Sequence, residues 1–324
     1  MFKYAYYIES TNHNPHQNLA LEEALFDSLP KDSIIFYLWQ NAHTVVIGKN
    51  QNAHKECTLD KMEEEHCTLA RRSTGGGAVY HDLGNLNFSF ITSDDAHSIE
   101  KQSSVILDCL EQFGIHALLS GRNDIEVEGK KISGNAYLTR DRKKLHHGTL
   151  MIDVNTEIMR QYLKPSNLKL QAKGVDSIRS RVTNIKELNC LITIPLIIEQ
   201  LKKSFEKVYE LPLHLLEIPS NYKDYYQHYQ SKEFIFGELS NYTHYIEQRF
   251  DFGEVNIYYT IHDNQIVQIV TYSDAMDLNI VQDINLFFNQ LQLNESDFQK
   301  RFQTNPKPYV RELYLMMEEK KNDL

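Results

Sequence analysis

Cysteine is scarce in this 324-residue chain: Cys57, Cys67, Cys109 and Cys190 are scattered, and no two of them form a CxxC pair. Such spacing offers no disulfide framework and no cysteine zinc site, and it fits reduced thiols in a cytosol. Basic charge is also in short supply. Lys and Arg total 34 against 44 Asp and Glu, a formal net charge of −10. The broad basic surface that a phosphate backbone requires is missing, so no nucleic-acid partner is expected. No apolar run approaches the ~18 residues of a membrane span. The N-terminal residues hold no stretch apolar enough for a signal peptide. The expectation is a cytoplasmic protein without a membrane partner. Tryptophan occurs once, as Trp39.

What is present reads as globular. The 41% hydrophobic and 24% charged fractions are ordinary, which excludes disorder and fibrous repeats. At roughly 100–200 residues per domain, the length allows about two. Residues 17–28 read as a helix, with Leu19, Leu21, Ala24, Leu25 and Phe26 set among Glu22, Glu23 and Asp27, and Pro30 ends it. The β-rich runs Ser33–Trp39 and 43–48 flank Gln40-Asn41-Ala42 and read as a hairpin. Val105, Ile106, Cys109, Leu110 and Phe113 share one helix face, closed by Gly114. Residues 124–128 alternate into a short strand that turns at Gly129, and 130–139 and 147–154 read as further strands. Ile197, Ile198, Leu201, Phe205 and Val208 mark another helix, stopped by Pro212. Residues 219–245, rich in Tyr and Gln, read as an irregular connection. Beyond it lie strands at 249–261 and 265–272 and helices at 279–292 and about 308–321. The expected organisation is a larger mixed domain over 1–245 and a small α+β domain over 246–324.

Four segments carry chemistry. The first runs Arg71-Arg72-Ser73-Thr74-Gly75-Gly76-Gly77-Ala78-Val79-Tyr80-His81-Asp82-Leu83-Gly84-Asn85. Adjacent glycines let a ligand approach backbone amides closely, successive N–H groups form an anion nest, and paired arginines add fixed charge. A phosphate or carboxylate is the natural guest; a plain turn between strands is the alternative. The segment is neither a GxxxxGK[ST] loop nor a dinucleotide fingerprint, since Tyr80 stands where the third glycine belongs. The second segment is Gly121-Arg122-Asn123-Asp124, followed by Gly129-Lys130-Lys131-Ile132-Ser133-Gly134-Asn135-Ala136. Here Lys131 lies beside small residues and either neutralises a reacting anion or is simply solvated in a polar turn. Asp124 either holds Mg²⁺ against phosphates or caps a turn.

The third segment, His146-His147-Gly148-Thr149-Leu150, holds neighbouring histidines that a strand would point to opposite faces, so they cannot share one ion. The fourth, Lys173-Gly174-Val175-Asp176-Ser177-Ile178-Arg179-Ser180-Arg181-Val182-Thr183-Asn184, reads as an anion-binding loop or a basic surface loop. Arg140, Arg142, Lys143 and Lys144 form a basic run that docks an acidic partner or is simply solvated.

All four segments, in this order, resemble the lipoate–protein ligase A family, which carries RR-x-x-GGGAV-[FY]-HD-x-GN, GRND, K-x-SG-x-A, HHGTL and KG-x-x-S-x-RSRVTN. Trp39-Gln40-Asn41, Thr44-Val45-Val46-Ile47-Gly48 and Gln51-Asn52 also match its opening pattern, and Phe250-Asp251-Phe252-Gly253-Glu254-Val255 resembles its C-terminal domain.

The resemblance implies an α+β catalytic domain on a mixed sheet, of the type shared by biotin ligases and class II aminoacyl-tRNA synthetases, with a small C-terminal domain. It implies that ATP, with Mg²⁺, and lipoate form lipoyl-AMP. The acyl group then passes to a lysine of an apo lipoyl domain of a 2-oxoacid dehydrogenase or of a glycine-cleavage H-type protein. By the same carry-over Lys131 is catalytic. Arg72, Gly75, Gly76, Gly77, Ala78, Val79, Tyr80, Asn123 and Asp124, with Lys131, contact the nucleotide, Asp124 also holding Mg²⁺. Ser177, Arg179 and Arg181 belong to a segment closing over the adenylate. Trp39, Arg71, Ser73, His81 and His147, again with Lys131, line the lipoate slot. Two other readings stand beside this one. A cysteine-dependent acyltransferase of the same fold would rely on Cys190, since Cys109 reads as core. A lipoate-binding sensor would bind without turnover.

Overall fold

The computed structural model describes residues 2–121, 123–164, 182–237 and 241–321. The chain divides into two compact units: Met1–Ile47, His54–Arg72 and Ala78–Ile235 form the first, and Gly48–Ala53, Ser73–Gly77 and Phe236–Leu324 the second.

The first unit is α+β. Its main sheet is mixed and has eight strands, in the order β11 (Leu213–Leu215), β1 (Tyr4–Glu9), β2 (Ser33–Trp39), β6 (Asn85–Ser93), β10 (Lys143–Met151), β9 (Lys130–Arg140), β8 (Asp124–Val127) and β7 (Leu118–Ser120). A second sheet places β3 (Thr44–Ile47) between β4 (Thr68–Arg71) and β5 (Val79–His81). The hairpin expected across Gln40-Asn41-Ala42 is therefore absent. β2 pairs with β1 in parallel and with β6 in antiparallel fashion, while β3 belongs to the other sheet. The reason is legible in the run SIIFYLW: every residue of β2 is buried, as in a central strand covered on both faces.

Alternate β2 side chains feed two cores. Ile34, Phe36 and Leu38 join Phe88, Phe90, Val105, Ile106, Leu201 and Phe205 on one side. Phe36 stacks 4.8 Å from Phe90 and 5.2 Å from Phe205, centroid to centroid. On the other side Ile35, Tyr37 and Trp39 join Leu19, Leu21, Leu25 and Phe26 of helix α1 (Pro15–Asp27). The Asn14 side chain caps α1 by accepting the His16 and Gln17 N–H groups, with Pro15 opening the helix. β9 and β10 form a long hairpin. At its tip Arg140 reaches Glu23 (2.6 Å) and Asp27 (2.7 Å) of α1, and Lys143 Nζ donates to the Asp27 carbonyl at 2.7 Å. Two of the four cations in the basic run thus bind this helix. Part of the stretch read as irregular, 219–245, is helical: Tyr222–Tyr229 and Lys232–Phe236. Tyr229 and Tyr225 of the first of these donate to Glu23 (2.9 Å) and Asp27 (2.6 Å).

The second unit carries the antiparallel sheet β12 (His244–Phe250), β13 (Gly253–His262) and β14 (Gln265–Ser273). Three helices follow, Asn279–Phe288, Glu295–Thr304 and Pro308–Lys320, around a core that includes Ile257, Tyr259, Ile284, Phe288, Phe298 and Tyr314. The strand expected at 249–261 corresponds to β13, while β12 falls mostly outside it and the helix at Glu295–Thr304, whose sole buried residue is Phe298, was not expected. Short segments from early in the chain complete this unit. The Ser273 N–H donates to the Asn50 carbonyl and the Lys49 N–H to the Thr74 carbonyl, both at 2.8 Å. No helix among the described residues is long and apolar enough to cross a membrane.

Candidate active site

A buried polar network lies where α1 crosses the sheet. Register places His147 of β10 opposite Ser89 of β6, and Ser89 opposite Tyr37 of β2. The Trp39 indole N–H donates to Ser89 Oγ (3.0 Å), and Ser89 donates to Glu22 Oε1 (2.5 Å). His147 Nδ1 donates to both Glu22 oxygens, at 2.9 and 3.0 Å. Glu22, only 2% exposed, thus gathers Trp39 and His147, both expected at the lipoate slot. Sequence reading passed over Glu22 as one of three helix acids. Its signal was position, because Asn18, Glu22 and Leu25 fall on the buried stripe of α1. His146 points the other way, as strand alternation requires, and hydrogen-bonds Gln102 and Asn135, each at 2.9 Å.

Arg72 is buried, and its guanidinium Nη1 donates to the Val46 carbonyl at 3.3 Å. Burial, reinforced by Arg71 and opposed by Glu22, lowers its pKa to about 10, which leaves it charged at neutral pH. Arg71 donates through Nε and Nη2 to the Ile235 carbonyl, at 3.0 and 2.5 Å. Val79, Tyr80 and His81 form β5. The Tyr80 hydroxyl is hydrogen-bonded to His43 Nδ1 at 3.2 Å, so its side chain turns into an aromatic group with His43 and Tyr162. His81 is 3% exposed and stands edge-on to Trp39, ring centroids 6.3 Å apart. Burial, with Arg72 and His147 adding to it, lowers the His81 pKa to about 3.

Lys131 sits on β9 beside the turn closed by Glu128 and Gly129, both at positive φ. Its Nζ lies 2.7 Å from Asp124 Oδ1, and both side chains are partly exposed. Gly134 makes room for this arrangement: a Cβ there would lie 2.8 Å from Lys131 Nζ and 3.0 Å from its Cε. Asn123 does not project freely. It donates to the Asn135 carbonyl (2.9 Å), and Asn135 returns its own side-chain N–H to the Asn123 carbonyl (3.0 Å). That clasp fixes the start of β8, and so Asp124, against the strand bearing Lys131.

Ser73, Gly75, Gly76 and Gly77 belong to the second unit. There the glycines have separate physical reasons. A Cβ on Gly75 would meet the Ala275 carbonyl oxygen at 2.5 Å and that of Met276 at 2.7 Å. Gly76 has φ +89° and donates its N–H to the Ala275 carbonyl at 3.2 Å. A Cβ on Gly77 would meet nothing within 4 Å, so it is the glycine that packing does not explain. Ala78 opens the next stretch of the first unit, leading into β5. Ser177, Arg179 and Arg181 lie outside the described residues. Among those described, no cluster of three His, Cys, Asp or Glu side chains could hold a metal ion. One carboxylate at Asp124 suits Mg²⁺ that arrives with phosphates rather than a resident ion. The thiols of Cys57 and Cys67 are buried and pushed up to about 12, Cys109 is raised further, and Cys190 is exposed.

Comparison with known proteins gives the family of the chain. The lipoyl protein ligase A/B catalytic domain model matches residues 14–206, and that of the bacterial lipoate protein ligase C-terminus matches 240–316. A lipoate-protein ligase A of Bdellovibrio bacteriovorus is 37% identical over 282 residues, 84% of this chain and 83% of its own. One from Psychrobacter cryohalolentis is 36% identical over 91% of both chains. The Plasmodium falciparum LipL1 crystal structure in complex with lipoate superposes with a TM-score of 0.84 at 29% identity, covering 97% of this chain and 99% of that one. A lipoate-protein ligase A bound with ATP gives 0.64 at 27% identity, covering 74% and 100%. A bipartite ligase studied with its E2 lipoyl domain, from Thermoplasma acidophilum, gives 0.64 at 28%, covering 74% and 98%. With a catalytic-domain match over more than half its length and relatives above 30% identity along most of theirs, the chain belongs to the lipoate–protein ligase A family.

Proposed function

We propose that this protein is an ATP-dependent lipoate–protein ligase, joining lipoate to AMP with loss of pyrophosphate and then passing the lipoyl group to a lysine amine. A carboxylate cannot acylate an amine at neutral pH because its leaving group is poor, and AMP supplies a better one. The obstacle is repulsion between a carboxylate and a triphosphate. Lys131 answers it, and its setting carries the reading: one amine at the start of the long strand β9, held by Asp124 at 2.7 Å over the gap that Gly134 leaves. Released to the substrates, that amine touches the attacking carboxylate and the α-phosphate together, offsetting their repulsion and stabilising charge as the new bond forms. Holding the two in line supplies much of the remaining acceleration.

Trp39 and His147, organised by Glu22, would then bound the acyl slot. Arg72, Ala78, Val79, Tyr80 and the 75–77 glycines would serve the nucleotide, with Asn123 acting through its clasp on Asp124. Mg²⁺ delivered with ATP would find a ligand in Asp124, where it would offset phosphate charge. We assign lipoate activation to residues 1–245, including the 177–181 segment, and an accessory role to 246–324. The acceptor is an apo lipoyl domain or H-type carrier, and we assign the reaction to the cytoplasm, in keeping with the scattered, unpaired cysteines.

Purified protein given lipoate, Mg²⁺ and ATP should release pyrophosphate and lipoylate an apo lipoyl domain. Lys131→Ala should abolish both while its circular dichroism stays unchanged. Pyrophosphate release at the normal rate from that variant would remove Lys131 from the chemistry, and none from the unmodified protein would remove the ligase reading.

A further inference from the structure

Beside the acyl slot lies a second hydrogen-bond chain that the ligase reading does not use. Asn18 of α1 is 1% exposed and Asn41 is fully buried. Asn18 Nδ2 donates to the carbonyls of Gln40 (2.8 Å) and Asn12 (3.0 Å), which can only accept, so the orientation of that amide is fixed. Its Oδ1 correspondingly accepts from Ser10 Oγ at 2.6 Å and from the Tyr37 hydroxyl at 3.3 Å. The same Nδ2 lies 3.0 Å from Asn41 Oδ1 and shares one of its two hydrogens with it; an N–H group at that distance admits an oxygen and not a second NH2, which fixes the second amide in turn. Asn41 Nδ2 is then the group facing His81 Nδ1, 3.1 Å away. A nitrogen that receives a hydrogen bond carries no proton, so the His81 proton resides on Nε2. That Nε2 is buried and has no hydrogen-bond partner among the described residues.

We infer that Asn18 and Asn41 are positioning residues that lock His81 in its Nε2–H tautomer, so that this buried N–H donates to the acyl substrate's carboxyl oxygen. The inference rests on the ligase reading for the identity of the substrate. Lipoate offers one strong acceptor group, its carboxyl, since the dithiolane sulfurs accept weakly, and that oxygen persists in the adenylate. A neutral donor suits this place. Burial disfavours a charged imidazole there, and the cation of Arg72 nearby disfavours it further. A buried N–H that no described side chain or backbone group accepts gains a partner when substrate binds and loses it when the tautomer flips.

The test reads the proton directly. Two-bond ¹H–¹⁵N correlation spectra of ¹⁵N-histidine protein, with His81 assigned by its loss in His81→Gln, should show an Nε2–H imidazole that does not change between pH 8 and 5. Asn41→Asp, which offers Nδ1 a carboxylate that only accepts, should move a proton onto Nδ1. It should also raise KM for lipoate roughly tenfold, the worth of one hydrogen bond, with KM for ATP unchanged. Asn41→Ala should leave a mixture of tautomers and a smaller rise, and it stands in should the buried aspartate prevent folding. His81→Gln, which keeps an N–H donor, should retain more activity than His81→Leu. An Nδ1–H tautomer in the unmodified protein would overturn the inference. So would an Asn41→Asp variant whose tautomer has changed while its lipoate KM has not. Failure of the unmodified protein to release pyrophosphate would sink the ligase reading instead and leave the tautomer legible.

Discussion

At the scale of single residues, adjacent glycines in one motif turn out to answer different demands. Gly75 is pressed against the Ala275 and Met276 carbonyls, whereas a Cβ on Gly77 would meet no atom of the described residues within 4 Å. Gly75→Ala should therefore lower the unfolding free energy by about 2 kcal/mol, the usual penalty for forcing a methyl into filled space. Gly77→Ala should leave stability unchanged and raise KM for ATP. Urea titration beside initial-rate kinetics separates the two, and equal effects from both variants would break the distinction. The sequence alone could not make it, because a triplet of glycines looks uniform until the neighbouring backbone is placed.

At the scale of elements, α1 couples the site to its support. One face presents Asn18 and Glu22 to the buried networks, and the other offers Glu23 and Asp27 to Arg140, Tyr225 and Tyr229. Glu22→Ala should cost about 3 kcal/mol, since it leaves the Ser89 and His147 donors buried without their acceptor. Glu22→Gln, which keeps an oxygen in place, should cost less. Chemical denaturation of both variants checks the order. The helix was visible from its apolar spacing and the β8–β9 turn from Gly129, because both signals are local. Asn123, Asp124, Lys131 and His147 were found through motif letters. Gly134 and Asn135 stood in the same motif as Lys131, but their roles beside Lys131 and Asn123 show only once the side chains are placed, and Ser89 and Glu22 lie on another strand and a helix with no distinctive letter. The misread hairpin at Gln40-Asn41-Ala42 has the same origin. A run buried on both faces states that it is central but not which strands flank it.

Across the whole molecule, two buried imidazoles set an acid limit. Burial lowers both His81 and His146 from 6.5 to about 3, with Arg72 and His147 adding to it at the first and His97 and His147 at the second. In the unfolded chain each takes up a proton near pH 6.5, whereas in the folded protein each stays neutral. The unfolded state therefore binds more protons as the pH drops, and stability present above pH 6.5 is lost below it. At about 1.4 kcal/mol per pH unit for each group, the two together should remove roughly 2 kcal/mol between pH 7 and 5.5. The urea midpoint should fall across that range, and a His146→Gln background should flatten the fall; a flat profile in the unmodified protein would contradict the neutral assignment. Trp39, the sole tryptophan, has its indole nitrogen engaged inside the Glu22 network. The molecule consequently carries its own optical gauge. Light absorbed by that ring reports from one spot, and a cyclic disulfide arriving beside it should dim the emission, following occupancy in real time with no label attached.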